Sequence, residues 1–416
     1  MLRDLFVKER NVITLSTTGL IISIGFQLWD PLLPVYLEEG LGASVTSIGV
    51  IYGLLAVPSM VSAFVGGYLS DRIGRKKVII ACDFLVAFLT FLLSLTSTLI
   101  EFSLLLLLQS LFIGASRSAL RAMIAESSPD RKRGTAFSNF LFLSLIGQII
   151  GPAIGGSLAG KLGFIVLFAS SSFVLFIGTV FRLIFLREKM TYRKDIQESE
   201  QSIPHERRHL SFHGTETSTH YDEFNRSLLI YIMCLGMFGF ADDLIDTFIS
   251  IYSKDILNMS IEDVGLLFSV RHLAMFSFIL PSGMLADKVG EKICIIISWI
   301  LSPLALLAFA FSQGGILAFL TYSLDGVAWA IRPPAMPSLL ASLTPRNRYG
   351  IVFGFSHLIR TGVGVPSPML GGLMWEILGP ISLFYVYLVI MALAALIVGF
   401  SVAPRTTDDK IYTNSI

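Results

Sequence analysis

Nine polar side chains capable of binding or charge transfer sit inside apolar runs: Gln27 and Asp30, Arg117 and Arg121, Asp242, Asp243 and Asp246, Asp325 and Arg332. An ionisable group in hydrocarbon costs roughly 2.5–3.5 kcal/mol on insertion scales, so it needs a partner, a wet cavity or a function. Arginine forks hold carboxylates and phosphates. A carboxylate in a dry cavity favours its neutral form, and a nearby arginine favours the charged one, so relative movement of the two can load and release a proton. Spacing supports shared faces: Arg117/Arg121 and Asp242/Asp246 are i, i+4 pairs, and Asp325/Arg332 is i, i+7. Counted from the ends of their runs, Asp242, Arg117 and Arg332 fall near mid-depth. Asp30 and Asp246 fall further out, as an outer gate or as proton-coupling candidates, with Asp243 beside them. Arg271, His272, His357 and Arg360 lie in two further runs, where cavity lining and a helix-to-helix salt bridge explain them equally well. Gln27, Trp29, Tyr36, Phe240 and Trp329 neighbour these charges and suit either an organic substrate or packing.

The sequence has no nucleophile–base constellation and no Cys/His metal spacing, which argues against an enzyme. No cofactor or metal is implied. The driving force expected is a proton or sodium gradient. Cys82, Cys234 and Cys294 fall in or beside apolar segments and read as reduced packing residues. A net charge of +1 with no basic domain argues against nucleic acid.

These side chains need helices that cross a bilayer. Of 416 residues, 54% are hydrophobic and only 15% charged, too few charges to cover a soluble surface of this size. Apolar runs predict spans near 12–34, 45–70, 78–99, 102–126, 136–159 and 165–186, then 228–252, 263–286, 293–312, 315–341, 351–375 and 381–402. They are too long for barrel strands and must satisfy their backbone internally, so they are helices. The start, MLRDLFVKERN, does not read as a cleavable leader. With the N-terminus inside, the inside loops carry Arg72, Arg75, Lys76, Lys77, Arg131, Lys132, Arg133, Lys288, Lys292, Arg346 and Arg348, and the outside loops carry only Lys161 and Lys254. That bias places both termini in the cytoplasm, in a plasma or inner membrane. Asn258-Met-Ser260 is a glycosylation sequon on an outside loop, relevant only in a secretory-pathway host.

The chain repeats itself at a shift of 216 residues: Asp30 meets Asp246, Tyr36 meets Tyr252, Gly49 meets Gly265, Asp71 meets Asp287, Gly74 meets Gly290, Lys76 meets Lys292, Pro152 meets Pro368, and Gly155-Gly156 meets Gly371-Gly372. Six spans followed by six equivalents keep their direction, so the repeat is parallel about an axis along the membrane normal. The expected domains are 1–187, a cytoplasmic linker at 188–226, and 227–416 with a short tail. His205, His209 and His213 in the linker are spaced i, i+4, i+8. They suit a metal or pH-sensing role less well than a solvated linker.

At 67–77 the sequence reads GYLSDRIGRKK, with a degenerate copy, GMLADKVGEK, at 283–292. This resembles the signature loop of the major facilitator superfamily. The resemblance covers the chain outside the linker and tail. It implies an all-α membrane protein of twelve transmembrane helices, two six-helix bundles related by pseudo-two-fold symmetry. It also implies gating roles for Gly67, Asp71, Arg72, Gly74, Arg75, Asp287 and Gly290. Gly74 permits a tight turn, and Asp71 can meet a helix N-terminus or an arginine and latch the halves together. The bland reading of these loops is topology alone. GQIIGPAIGG at 147–156 is similar to the Gly-rich motif of the drug–proton antiporter branch: Gly147, Gly151 and Gly155 share a face for close helix approach, Pro152 bends the helix, and Gly156 completes the motif. One departure weakens the transfer of roles. The family's fourth-span arginine, four residues before a Gly, is Ser110 here, and arginines come later at Arg117 and Arg121.

In the resembled fold, spans 1, 4, 7 and 10 line a central cavity, and all four carry charge here. The leading expectation is a proton-coupled transporter that exports small, drug-like organic solutes by alternating access. The alternative is a proton-coupled importer of organic anions or nutrients that uses the intramembrane arginines. A sensor with a transporter fold would need an output domain. The partners expected are a small-molecule substrate and the lipid bilayer, with the protein acting as a monomer.

Overall fold

The computed structural model describes residues 9–129, 132–188, 218–345 and 348–402, and these are helical throughout, without strands. The linker histidines His205, His209 and His213, with most of the expected linker and the tail, lie outside the described residues.

In chain order the helices of the first half are α1 (Arg10–Gly40), α2 (Val45–Ile73), α3 (Arg75–Leu93), α4 (Leu99–Ser127), α5 (Arg133–Leu162) and α6 (Phe164–Phe185). The second half contains α7 (Ser218–Asp246, continuing through Ile249–Ile251 and Tyr252–Ile256), α8 (Ile261–Val289) and α9 (Glu291–Ala310). It closes with α10 (Gly315–Ala330 and Arg332–Ser342), α11 (Tyr349–Gly364 and Ser367–Leu378) and α12 (Ile381–Ser401). Among the described residues, nine helices are long and apolar enough to cross a membrane in one run. The other three are α3, which opens on Arg75-Lys76-Lys77, and α10 and α11, which are broken at Ile331 and at Val365-Pro366. The outward surface is apolar: Phe64 is 84% exposed, Leu280 76% and Phe400 89%. Such a surface is stable only against lipid.

Helix ends follow from local chemistry. Ser44, Thr98 and Ser260 cap α2, α4 and α8 by accepting from the N–H of Ser47, Glu101 and Asp263. α2 and α8 stop at Gly74 and Gly290, whose φ of 106° and 96° a side chain would resist. The repeat is also conformational. α1 and α7 both lose regular winding just after or at Asp30 and Asp246, and both end in a wide turn, at Tyr36–Gly40 and Tyr252–Ile256.

The halves meet along two seams, α2 with α11 and α5 with α8. At the end of the bundle that holds Gly40 and Lys254, the core is continuous across the halves: Leu28, Trp29 and Leu32 join Ile245, Phe248 and Ile249. Towards the opposite end, which holds Gly74 and Gly290, the first half has a separate core around Ile79, Leu120 and Met123.

Candidate functional site

One compartment lies between the halves, and a second lies within the first half. The first, about 320 Å³, sits towards the Lys254 end and is lined by Gln27, Asp30, Tyr52, Asp243, Asp246, Arg271 and His272 among others. The second, about 480 Å³, runs towards the Gly74 end along the first half. It is lined by Gln27, Asp30, Arg117, Arg121, Asp83, Arg182 and an aromatic wall of Phe26, Phe137 and Phe140. Gln27 and Asp30 line both, so the compartments meet there. Asp30, Asp243, Asp246, Arg117 and Arg121 are all exposed to this space.

Asp325 and Arg332 were expected on the cavity and are placed behind its wall, 1% and 3% exposed. They belong to a hydrogen-bonded chain through five helices of the second half. Arg271 Nε donates to Asp325 Oδ2 at 2.8 Å, and Ser302 Oγ donates to Asp325 Oδ1 at 2.5 Å. Tyr387 Oη lies 3.0 Å from Ser302 Oγ and accepts from Arg332 Nη2 at 3.1 Å. Arg332 Nη1 then donates to Asp242 Oδ1 at 3.0 Å, and Nε to Ser298 Oγ at 3.2 Å. The guanidinium groups of Arg332 and Arg360 both lie 4.9 Å from the Phe238 ring. Arg271 is thus tied into its own half by a salt bridge, and its neighbour His272 shares a ring-nitrogen bond of 2.8 Å with the Phe268 carbonyl.

The first half holds a smaller network that the sequence reading missed. Arg182 Nη1 on α6 donates to Asp83 Oδ2 on α3 at 2.6 Å, Ser116 Oγ donates to Asp83 Oδ1 at 2.6 Å, and Arg182 Nε donates to Thr18 Oγ1 at 3.0 Å. The signal was available: each is a lone charge in an apolar run, the same sign that marked Asp30. Attention to the first, fourth, seventh and tenth spans passed over it.

The Gly-rich motif of α5 lies against two neighbours. A Cβ added at Gly147, Gly151 or Gly155 would meet Ser23, Gln27 or Leu28 of α1, and one at Gly156 would meet Ile261 and Gly265 of α8. The N–H of Ala153, next to Pro152, donates across the seam to Ser269 Oγ at 2.8 Å. The two seams mirror each other: a Cβ at Gly265 would fall 2.3 Å from the Pro152 oxygen, and one at Gly49 2.1 Å from the Pro368 oxygen.

At the Gly74 end, Asp71 pairs with Arg75 one turn on, and Arg75 Nη2 reaches Glu126 Oε1 of α4 at 2.8 Å. Arg72 stacks over Tyr68, 4.5 Å from its ring. Gly67 lies beside Ser118 of α4, and a Cβ at Gly74 would meet the Glu188 carboxylate, which accepts from the N–H of Lys76. These contacts stay within the first half. Gly290 makes the equivalent turn after Asp287.

A lipid-facing bundle of paired six-helix halves around a charged central cavity defines a membrane transporter. The chain belongs to the Major Facilitator Superfamily, whose profile matches residues 15–258 and 231–413. It is 25% identical over 407 residues to the multidrug resistance protein MdtG of Enterobacter lignolyticus, covering 94% of this chain and 92% of that one. It is 27% identical over 402 residues to MdtG of Yersinia enterocolitica, covering 93% and 92%. Its fold matches the nucleoside transporter NupG (TM-score 0.74, 14% identity, 93% of this chain and 98% of that one). It also matches a bacterial homologue of the lysosomal transporter Spinster in an inward-facing, occupied conformation (TM-score 0.73, 12% identity, 94% and 96%). The protein is a transporter of small molecules embedded in a bilayer, and it is not an enzyme.

Proposed function

We propose that the protein is a proton-coupled exporter of amphipathic organic solutes in the cell membrane, with both termini cytoplasmic. The orientation rests on the Lys and Arg bias, which puts the Gly74 end inside. The conformation described is then closed outside and open to the cytoplasm, the state that loads an exported substrate. Export is supported by the relatives, which are named multidrug resistance proteins.

One observation carries the proton reading. Among the charges of the cavity and the two buried networks, only Asp30 and Asp246 recur with the same sign at equivalent positions of the two halves. The other charges have uncharged counterparts: Asp325 faces Gln109 in the repeat, Arg332 faces Ser116, and Asp83 faces Trp299. The two acids sit where both helices lose regular winding, in the compartment towards the Lys254 end. Exposure of that end to the outside lets such a pair take up protons, and exposure to the cytoplasm lets it release them as substrate enters.

A second reading, import of organic anions, is favoured by Arg117, Arg121 and Arg360, which have no carboxylate within ion-pair distance among the described residues. Proteoliposomes loaded with dye-like solutes, with an imposed pH gradient, separate the two. Proton-driven movement out of the cytoplasmic side supports export. Gradient-driven uptake of labelled anions with no solute export replaces it with the importer.

A further inference from the structure

Removing the matched pairs from the cavity wall leaves a pattern. Asp83 is taken by Arg182, Asp242 by Arg332 and Asp325 by Arg271. What remains is Asp243 and Asp246 in the compartment near the Lys254 end, Arg117 and Arg121 in the compartment that runs towards the Gly74 end, and Asp30 lining both. The unmatched charges are thus sorted between the two compartments, negative towards the Lys254 end and positive towards the Gly74 end. At the junction, Gln27 lines both compartments, and its Oε1 is buried with no hydrogen-bond partner.

We propose that the cavity takes a zwitterionic amphiphile, aligned with its anionic group on Arg117 and Arg121 and its cationic group at Asp243 and Asp246, with Asp30 at the junction. The aromatic wall of Phe26, Phe137 and Phe140 holds the apolar body between them. This rests on the reading of the cavity as the transport site. A lone cation must pass Arg117 and Arg121 to reach Asp243 and Asp246, and a lone anion stops short of them. A molecule with both charges gains at both ends without net charge transfer into the bilayer.

The test uses purified full-length protein and three matched probes: benzylamine, 4-methylbenzoate and 4-(aminomethyl)benzoate, with affinities read from tryptophan fluorescence and calorimetry. The expected result is that 4-(aminomethyl)benzoate binds at least about tenfold more tightly than either singly charged probe. Arg121→Gln should reduce it to the level of benzylamine while leaving benzylamine undiminished, which also reports an intact fold. Asp246→Asn should reduce it to the level of 4-methylbenzoate. Equal affinity of the zwitterion and the better single-charge probe overturns the proposal, as does an equal loss for all three probes in both variants. Transport of the zwitterion in proteoliposomes is read separately. Selective binding without gradient-driven movement would sink the exporter reading and leave the dipolar site standing.

Discussion

Glu376 Oε1 accepts a hydrogen bond from the backbone N–H of Thr46 at 3.0 Å, so a carboxylate of the second half caps the first turn of a helix in the first. Thr46 follows Val45, the first residue of α2, where the unpaired N–H groups and the helix dipole both favour a negative charge. The other seam reverses the arrangement. The repeat equivalent of Glu376 is Gly160, and the equivalent of Thr46 is Glu262, whose carboxylate lies against Gly160. A salt bridge of 2.6 Å between Lys254 and Glu39 also joins the halves at this end. Opening of the Lys254 end would have to break these contacts.

Removing the cap should therefore move the conformational equilibrium. A lost helix cap costs about 1 kcal/mol, which is roughly a fivefold shift in population. Spin labels at Ile100→Cys and Ile316→Cys, equivalent exposed positions of α4 and α10, report the opening. Glu376→Ala should increase the long-distance population about fivefold, and Glu376→Gln by less, because the amide oxygen still accepts. An unchanged distance distribution in the alanine variant would remove Glu376 from the gate.

The buried chain from Arg271 to Asp242 predicts unequal effects. Tyr387→Phe deletes one hydroxyl between two ion pairs and should cost about 1 kcal/mol of stability. Asp325→Ala leaves Arg271 buried without a carboxylate, a change worth about 3–5 kcal/mol. Thermal melts of the detergent-solubilised protein check the order. The paired change Asp325→Asn with Arg271→Gln should recover part of the loss. Equal destabilisation by Tyr387→Phe and Asp325→Ala would mean that the chain does not carry charge between the helices.

Much of this architecture was legible because it follows from solvent and repetition. Apolar runs must become spans in lipid, and the matching positions of Gly49 with Gly265 and Pro152 with Pro368 became the two mirrored seams. The cavity acids were legible for the same reason, since Asp30 and Asp246 share a repeat position. Pairing was not legible. Asp325 and Arg332 are seven residues apart on α10 and read as one face, yet the helix is broken at Ile331 between them, and each finds its partner on a different helix. Asp71 was expected to bridge the halves, but it pairs with Arg75 one turn on, and Arg75 pairs with Glu126, which holds the loop to its own half.

Gly265 offers a separate test of closure. An added methyl group would sit 2.3 Å from the Pro152 oxygen, and such overpacking costs about 1–3 kcal/mol. Opening of the Lys254 end relieves it, so Gly265→Ala should populate the open state in the same spin-label assay while the melting temperature falls by only a few degrees. It acts on the α5–α8 seam and Glu376→Ala on the α2–α11 seam, so the two shifts should add as free energies. A large loss of melting temperature with no opening would make Gly265 a packing residue of the fold alone.

Asp246 and Asp243 are three residues apart and line the same compartment, yet the repeat separates them. Asp246 is matched by Asp30, whereas Asp243 is matched by Gln27, an amide that cannot take a proton at physiological pH. If proton coupling resides in the shared pair, Asp246→Asn should abolish gradient-driven accumulation while leaving substrate counterflow within about threefold of wild type. Asp243→Asn should retain accumulation. One proton moving down one pH unit supplies about 1.4 kcal/mol, or a tenfold gradient of substrate, so the difference is well above the noise of a proteoliposome assay. The measurement is made in sodium-free buffer, which assigns the drive to protons. Wild-type accumulation in Asp246→Asn would dismiss the pair as the coupling site, and a loss confined to Asp243→Asn would move that role one turn along α7.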